Sequence, residues 1–464
     1  MHGVFIEKGL MDWQIIQHEN GFGVINLSGC YKVPKVAINV GVIEAHPVIR
    51  VLSEDDSSQV IPWTIPNYQP SEDGLSGTWN VSLRVPAGGL YRIETGLDTT
   101  LDPGVVKLFR GDVRLHIGVG DIFVVAGQSN SSGCAKDIAY DPPSLQVHLY
   151  RNRRQWDLAC HPINESSFAA DDPNAEIGVT GVSPYISFGK AFHQISHYPV
   201  GLISTALGGS PISRWDIAQK GDLFRNMIEK IRECGNKVAG ILWYQGCSDA
   251  VPNQASIYFE CFERLVNETR KELGYEVPFF TFQINRQTNS PYDECWGMVR
   301  EAQRQAAHKI PGVYVLPTIN CNLCDHIHND AHSSIMLGEK LAKLCGNILY
   351  NAPEFFAPDI YEAVAVDKCV KVAFRNMKLG FTFQCFDAKN LGFTIKDSKG
   401  IIPIDSFSTD RNQPNTISLN LERVPEGDTY ISFGWEANPT MLPPLDEVTF
   451  LPPLSFYEFP VTRG

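Results

Sequence analysis

The chain has 464 residues, 43% of them hydrophobic and 20% charged, and that length predicts two to four domains rather than one core. A net charge of −13 argues against nucleic acid or an anionic membrane surface as a standing partner, and no run of 18 or more apolar residues is present to span a bilayer. The first fourteen residues lack a charged segment followed by an apolar one, so no secretory signal is visible and a cytoplasmic location is expected. The twelve cysteines are scattered singly through apolar stretches and read as reduced core residues. Sequons at Asn26, Asn80, Asn130, Asn164 and Asn267 are then expected to be unused.

In chain order, residues 12 to 118 carry short alternating runs bounded by turn residues, such as Gly23-Val24-Ile25-Asn26-Leu27, Thr78 to Val85 and Leu90 to Glu94. Period-two alternation of this kind predicts antiparallel strands of a sandwich, assigned to residues 1–116. From 117 to 352 the period changes. Continuous apolar runs at Ile122–Ala126, Val200–Ala206, Val238–Tyr244, Pro278–Ile284 and Val313–Ile319 alternate with helical spacings. Those spacings are Phe224, Met227, Ile228, Ile231, then Tyr258, Cys261, Phe262, Leu265, Thr269, and later Leu337, Leu341, Leu344, Cys345, Ile348. Buried runs between amphipathic helices predict a parallel sheet covered on both faces, an α/β layer fold. After Asn351–Pro358 alternation returns at Cys369–Phe374, Leu391–Lys396, Thr416–Leu421 and Thr429–Phe433, which predicts a third, all-β unit over 353–464.

Reactive groups in open α/β sheets gather at the carboxyl ends of the strands. The apolar runs are followed by Gly127-Gln128-Ser129-Asn130, by Leu207 to Trp215, by Gln245-Gly246-Cys247-Ser248-Asp249, and by Asn320 to His328. A serine hydroxyl needs a base to remove its proton and a third group to orient that base. Ser129 follows a glycine at a strand-to-turn position, His328 can act as the base, and Asp325, three residues earlier, can hold the other ring nitrogen. The backbone amides of Ser129 and Gly209 and the side chain of Gln245 lie at adjacent strand ends as candidate donors to an oxyanion.

These blocks resemble the sialate O-acetylesterase and acetylxylan-esterase-like branch of the SGNH hydrolases. Ser129 matches the GQSN block, Leu207–Trp215 the GGSxIxxW block, Trp243–Asp249 the WYQGES(D/N) block, and Asp325–His328 the DxxH block. Ile117–Phe123 and Arg300-Glu301-Ala302-Gln303 are similar to the family's lead into its serine and its REAQ helix. Asp12–Gln17 and Gly77-Thr78-Trp79 are similar to its amino-terminal β-domain. The resemblance implies a three-layer, flavodoxin-like SGNH domain with a parallel sheet, flanked by N- and C-terminal β-domains. It implies a serine esterase that removes acetyl groups from carbohydrate of the sialic acid or hemicellulose type, without metal or organic cofactor. Ser129 is then the nucleophile, His328 the base and Asp325 its orienting acid. Ser129, Gly209 and Gln245 stabilise the oxyanion, and Gln128, Arg214 and Trp215 are candidate substrate contacts. Three positions depart from the pattern: Cys247 where the family usually has Glu, Ser131 where Met often follows GQSN, and Asn329 where Pro often follows the histidine.

Plainer uses exist for each residue. Ser129 alone suits a helix N-cap, Asp325 a cap or turn, His328 a satisfied loop histidine, and Trp215 a pocket wall. Cys321-Asn322-Leu323-Cys324-Asp325-His326-Ile327-His328 offers two thiols and two imidazoles to zinc, although the HxH directly after CxxC leaves almost no chain to wrap around one ion. A carbohydrate-binding protein on an inactive scaffold and a lipase or thioesterase are the rival functions. Arg214 and Arg286 are the cations at hand for a sugar carboxylate. No oligomeric state follows from the sequence.

Overall fold

The structure, a computed structural model, describes residues 2–166, 169, 171–176 and 180–464. The fold is mixed α/β. Near the N-terminus a four-stranded sheet joins Gly3–Lys8, Phe22–Lys32, Ser76–Pro86 and Asn67–Pro70. Alternation along Phe22–Lys32 turns Ile25 and Leu27 inward, where they meet Trp79, Leu83 and Val85 of the neighbouring strand. Opposite them lie Ile49, Val51, Ile93 and Leu97 from a second sheet containing Val42–Ser53 and Gly88–Leu101.

The last strand of that second sheet, Val105–Gly127, does not stop at the unit's edge. Its first half pairs antiparallel with Gly88–Leu101, and its second half pairs parallel with Val200–Ser204 on one side and Gly240–Tyr244 on the other. The bend between the halves is at His116, whose φ of 57° is unusual for a residue with a Cβ. Its amide and ring Nδ1 both bond the Glu54 carboxylate at 2.8 Å, and Trp13 packs 3.9 Å from its ring. The 116/117 boundary expected from the sequence thus falls inside one continuous strand.

The parallel sheet has the order Val147–Tyr150, Val200–Ser204, Val105–Gly127, Gly240–Tyr244, Phe279–Phe282, Val313–Leu316, with Trp156–Leu158 antiparallel at one edge. Four of the five apolar runs read from the sequence contain one of its strands, and the fifth, Ile122–Ala126, lies inside Val105–Gly127. The runs do not alternate in polarity because both faces are covered. Ile122, Val124 and Ala126 pack with Ile241 and Trp243 against Phe224, Met227, Phe262, Leu265 and Val299. Phe123 and Val125 pack with Leu202 and Leu242 against Phe188, Phe192, Leu337 and Leu341. Helices Asp222–Glu233, Tyr258–Leu273 and Asp293–Lys309 therefore cover one face, and Tyr185–Ser196 and Ala331–Tyr350 the other. At about 1.5–3 kcal/mol per fully buried Val, Leu, Ile or Phe, these two layers supply most of the force that holds the strand ends in register.

Residues 359–463 form two further main sheets around Val370, Val372, Phe374, Ile395, Leu419 and Phe433. They are tied to the parallel-sheet layer by buried polar contacts. Gln283 exchanges two hydrogen bonds with the backbone of Ser455, and Arg304 reaches Asp359 at 2.9 Å. The Arg300 guanidinium, only 1% exposed, donates to the carbonyls of Ile284, Asn285, Gly434 and Glu436 at 2.6–3.0 Å.

Candidate active site

The central strand ends at Gly127, whose φ is 126°, and a Cβ there would lie 2.3 Å from the Tyr244 carbonyl oxygen. Only glycine lets the chain turn this tightly against its neighbour. The turn delivers Ser129 to the first position of a one-turn helix, Ser129–Ser132, closed by the left-handed Gly133. Gln128, not Ser129, stands at the N-cap, and among the described residues the Ser129 hydroxyl makes no hydrogen bond. Its capping use is thereby excluded in this structure, and the side chain is 8% exposed at the mouth of the turn.

On the loop after Val313–Leu316, Asp325 and His328 are paired. Oδ2 of Asp325 is 2.7 Å from His328 Nδ1, and Oδ1 accepts from the amides of Ile327 at 2.9 Å and His328 at 2.8 Å. Partial burial pushes the Asp325 carboxyl up, but the bonds from the imidazole and the two amides outweigh it and hold the group down at about 2. With Nδ1–H donated to Asp325, Nε2 is the ring atom free to accept a proton. The loop closes on itself through Cys324 N to His328 O at 3.0 Å.

No direct hydrogen bond joins Ser129 to His328 here. Asn130 connects them instead: its Oδ1 accepts from the Asn329 amide at 3.0 Å and its Nδ2 donates to the Ile327 carbonyl at 3.4 Å, so it grips both neighbours of His328. Such looseness is common before substrate arrives. Neither the Ser129 amide nor the Gly209 amide has an acceptor among the described residues. Gly209 has φ +65° with nothing within 4 Å of where a Cβ would be, and the residue is exposed. The preceding amide, Gly208, is taken by Glu176 at 2.8 Å.

Three sequence-derived assignments are corrected by the side chains' surroundings. Gln245 is fully buried, and both N–H groups of its amide are engaged, one with the Ser210 carbonyl at 3.1 Å and one with Asp249. It braces the strand ends from behind and has no donor left for an oxyanion. Gln128 is 2% exposed, and its Oε1 accepts from the amides of Gly246 and Ser248, which ties the nucleophile turn to the next loop. Trp215 is 0% exposed, its indole donates to Ser210 Oγ, and it packs edge-on to Trp243, so it touches no substrate. Arg214, the remaining candidate contact, is half-buried and bonded through Nε and Nη2 to Asp222.

The departures also find their settings. Ser131 donates to the Ala126 carbonyl and bonds Tyr185 Oη at 2.8 Å, replacing thioether packing by a buried polar pair. Cys247 is buried near Arg300, and burial pushes its thiol up to about 12, so it is not a nucleophile. Among the described residues the Arg300 guanidinium has only carbonyl oxygens as hydrogen-bond acceptors, and it lies over the Trp296 ring at 5.4 Å. Beneath the site Asp249 accepts from the Ile212 amide and Gln245, and burial pushes its carboxyl up to about 6. Among the described residues no three His, Cys, Asp or Glu side chains converge on a possible metal position.

A nearly buried serine, tied through Asn130 to the flanks of an Asp–His pair at the carboxyl ends of a parallel sheet, is the arrangement of a carboxylic ester hydrolase. Residues 119–347 match the family described as carbohydrate esterase, sialic acid-specific acetylesterase. It is 27% identical over 252 residues to a probable carbohydrate esterase of Arabidopsis thaliana, across 50% of this chain and 92% of that one. It is 24% identical over 266 residues to human sialate O-acetylesterase, across 48% of this chain and 49% of the human one, so the match spans about half of that relative. The crystal structure of a carbohydrate acetylesterase from Xanthomonas citri superposes with a TM-score of 0.65 at 18% identity, covering 96% of this chain and 97% of that one, which shows a shared fold.

Proposed function

We propose that the protein removes O-acetyl groups from carbohydrate, of the sialic acid or hemicellulose type, through an acyl-enzyme on Ser129. The observation that carries this is the Asp325–His328 pair, joined by Asn130 to the turn that presents Ser129. Ser129 Oγ attacks the acetyl carbonyl carbon while His328 Nε2 takes its proton. The amides of Ser129 and Gly209 bind the oxyanion. His328 returns the proton to the leaving sugar oxygen as the C–O bond breaks, then removes one from water, which attacks the acetyl-serine, and gives it to Ser129 Oγ as acetate leaves. This reading treats 117–352 as a three-layer SGNH domain, with 1–116 and 353–464 as its β-rich flanks. The family match and the two curated relatives support carbohydrate as the leaving group.

The test is acetate release from 4-nitrophenyl acetate and from a panel of acetylated xylan and O-acetyl sialic acids, for wild type and Ser129→Ala. Turnover lost in the variant, with an acetyl adduct on Ser129 seen by mass spectrometry after a rapid quench, supports the reading. A wild type inert to every ester would favour a glycan-binding protein on this scaffold instead.

A further inference from the structure

Asn329, directly after the imidazole, is 1% exposed and reaches in three directions. Its amide donates to Asn130 Oδ1 at 3.0 Å, its Nδ2 to Tyr244 Oη at 3.1 Å, and its Oδ1 accepts from Asn285 Nδ2. These partners stand at the carboxyl ends of three adjacent strands. Asn130 follows Ser129 in the one-turn helix just after the Val105–Gly127 strand, Tyr244 closes Gly240–Tyr244, and Asn285 lies three residues beyond Phe279–Phe282. All are buried: Asn130 at 5%, Tyr244 at 1% and Asn285 at 0% exposure. A proline at this position would have neither the amide hydrogen nor the side-chain arms.

We infer that Asn329 is a positioning residue for the hydrolytic reaction, a three-armed brace that sets His328 against Ser129. Asp325 fixes the imidazole through Nδ1 on its own loop, and nothing in that contact refers to the serine. Because Ser129 and His328 make no direct bond, their alignment is inherited from the link between their neighbours. Asn329 N–H to Asn130 is the stronger half of that link, since the Asn130–Ile327 bond is long at 3.4 Å. The side-chain arms hold the Asn329 peptide plane over the sheet, and Arg300 Nη2 holds the Asn285 carbonyl in turn at 2.6 Å. The brace holds the base through hydrogen bonds to the buried ends of neighbouring strands. A shift of the base by an ångström costs about a hundredfold in rate.

The inference rests on the nucleophile reading above, and the experiment separates the two. Asn329→Ala, Asn329→Pro, Asn285→Ala and wild type are compared for melting temperature, for kcat and KM on 4-nitrophenyl acetate, and for the rate at which phenylmethylsulfonyl fluoride labels Ser129. Asn329→Ala is expected to lower kcat about 10- to 100-fold and the labelling rate in parallel, with KM changed less than about threefold. Asn329→Pro, which also removes the bond to Asn130, is expected to lose more, and Asn285→Ala to move kcat the same way by less. A purely structural asparagine would lower the melting temperature and leave the folded fraction's kcat and labelling rate intact, which overturns the brace. Should neither Asn329 variant fold, wild-type kcat and labelling in Asn285→Ala overturn it equally. A wild type that neither turns over ester nor is labelled at Ser129 overturns the nucleophile reading, and the brace's role with it.

Discussion

Replacing Arg300 by methionine sets two large effects of opposite sign against each other. Burial pulls the guanidinium down to about 9 from its ordinary value, so holding it charged in this interior costs about 5 kcal/mol, which methionine relieves. Methionine also fills much of the volume, so cavity formation is minor. Against this, the carbonyls of Ile284, Asn285, Gly434 and Glu436 lose their donor. At about 1–3 kcal/mol for each buried group left unsatisfied, the four together lose about 8 kcal/mol, and the balance is a destabilisation of about 3 kcal/mol. Two of those carbonyls belong to residues 434–436, so the loss falls on the seam between the parallel-sheet layer and the C-terminal sheets. Urea unfolding followed by tryptophan fluorescence is expected to show the lower stability. Limited proteolysis with thermolysin, which does not depend on Lys or Arg, is expected to cut within 351–358 before other sites. A stability within about 1 kcal/mol of wild type, with an unchanged cleavage map, would refute the view that this cation clamps the seam.

The other predictions address the site itself. Gln245→Ala is expected to lose about 1–3 kcal/mol of stability while kcat of the folded enzyme stays within about threefold, whereas a true oxyanion donor would cost about 10²–10³ in kcat. Asp325→Asn is expected to lower kcat about 10³–10⁴-fold at pH 7 with KM little changed. Because Asp325 is held at about 2, its contribution to stability is full above the ordinary carboxylate range and is lost only as pH falls through about 2. A kcat/KM profile from pH 5 to 9 should therefore carry no limb from this carboxylate. Asp249 has the opposite sign. Raised to about 6 by burial, it favours the fold below the unfolded carboxyl's titration and costs up to about 3 kcal/mol once ionised above pH 6. Asp249→Asn should thus be less destabilising at pH 7 than at pH 4 by about 2–3 kcal/mol in paired denaturant titrations, and equal effects at both would contradict the burial argument.

Much of this architecture is legible before any coordinates. The runs 122–126, 200–206, 238–244, 278–284 and 313–319 each overlap a strand because a sheet covered on both faces is apolar at most positions. That same uniformity hides which way a side chain points at the strand ends. Gln128, Gln245 and Trp215 sit in the right blocks but face inward, and no alternation existed to reveal it. Asp325 and His328 were readable as a pair because three residues of a tight turn bring them together locally. Asn130, Asn285, Tyr244 and Asn329 meet across three strands, so only the fold assembles them. The Val105–Gly127 strand escaped notice for a different reason: its halves obey two patterns, alternating where one face is open and uniformly apolar where both are covered.

That strand has a practical corollary. At about 3.3 Å per residue its 23 residues trace about 75 Å of chain, from the open end of the N-terminal sheet to the glycine before Ser129. A linker can be cut and religated at little thermodynamic cost, whereas severing this strand at His116 would abolish ladder pairings on both sides of the cut. The N-terminal sheet is therefore no detachable accessory. A shortened form of this chain that begins after His116 is expected to lose most of the pairing with Gly88–Leu101 and to unfold at lower urea than the full chain.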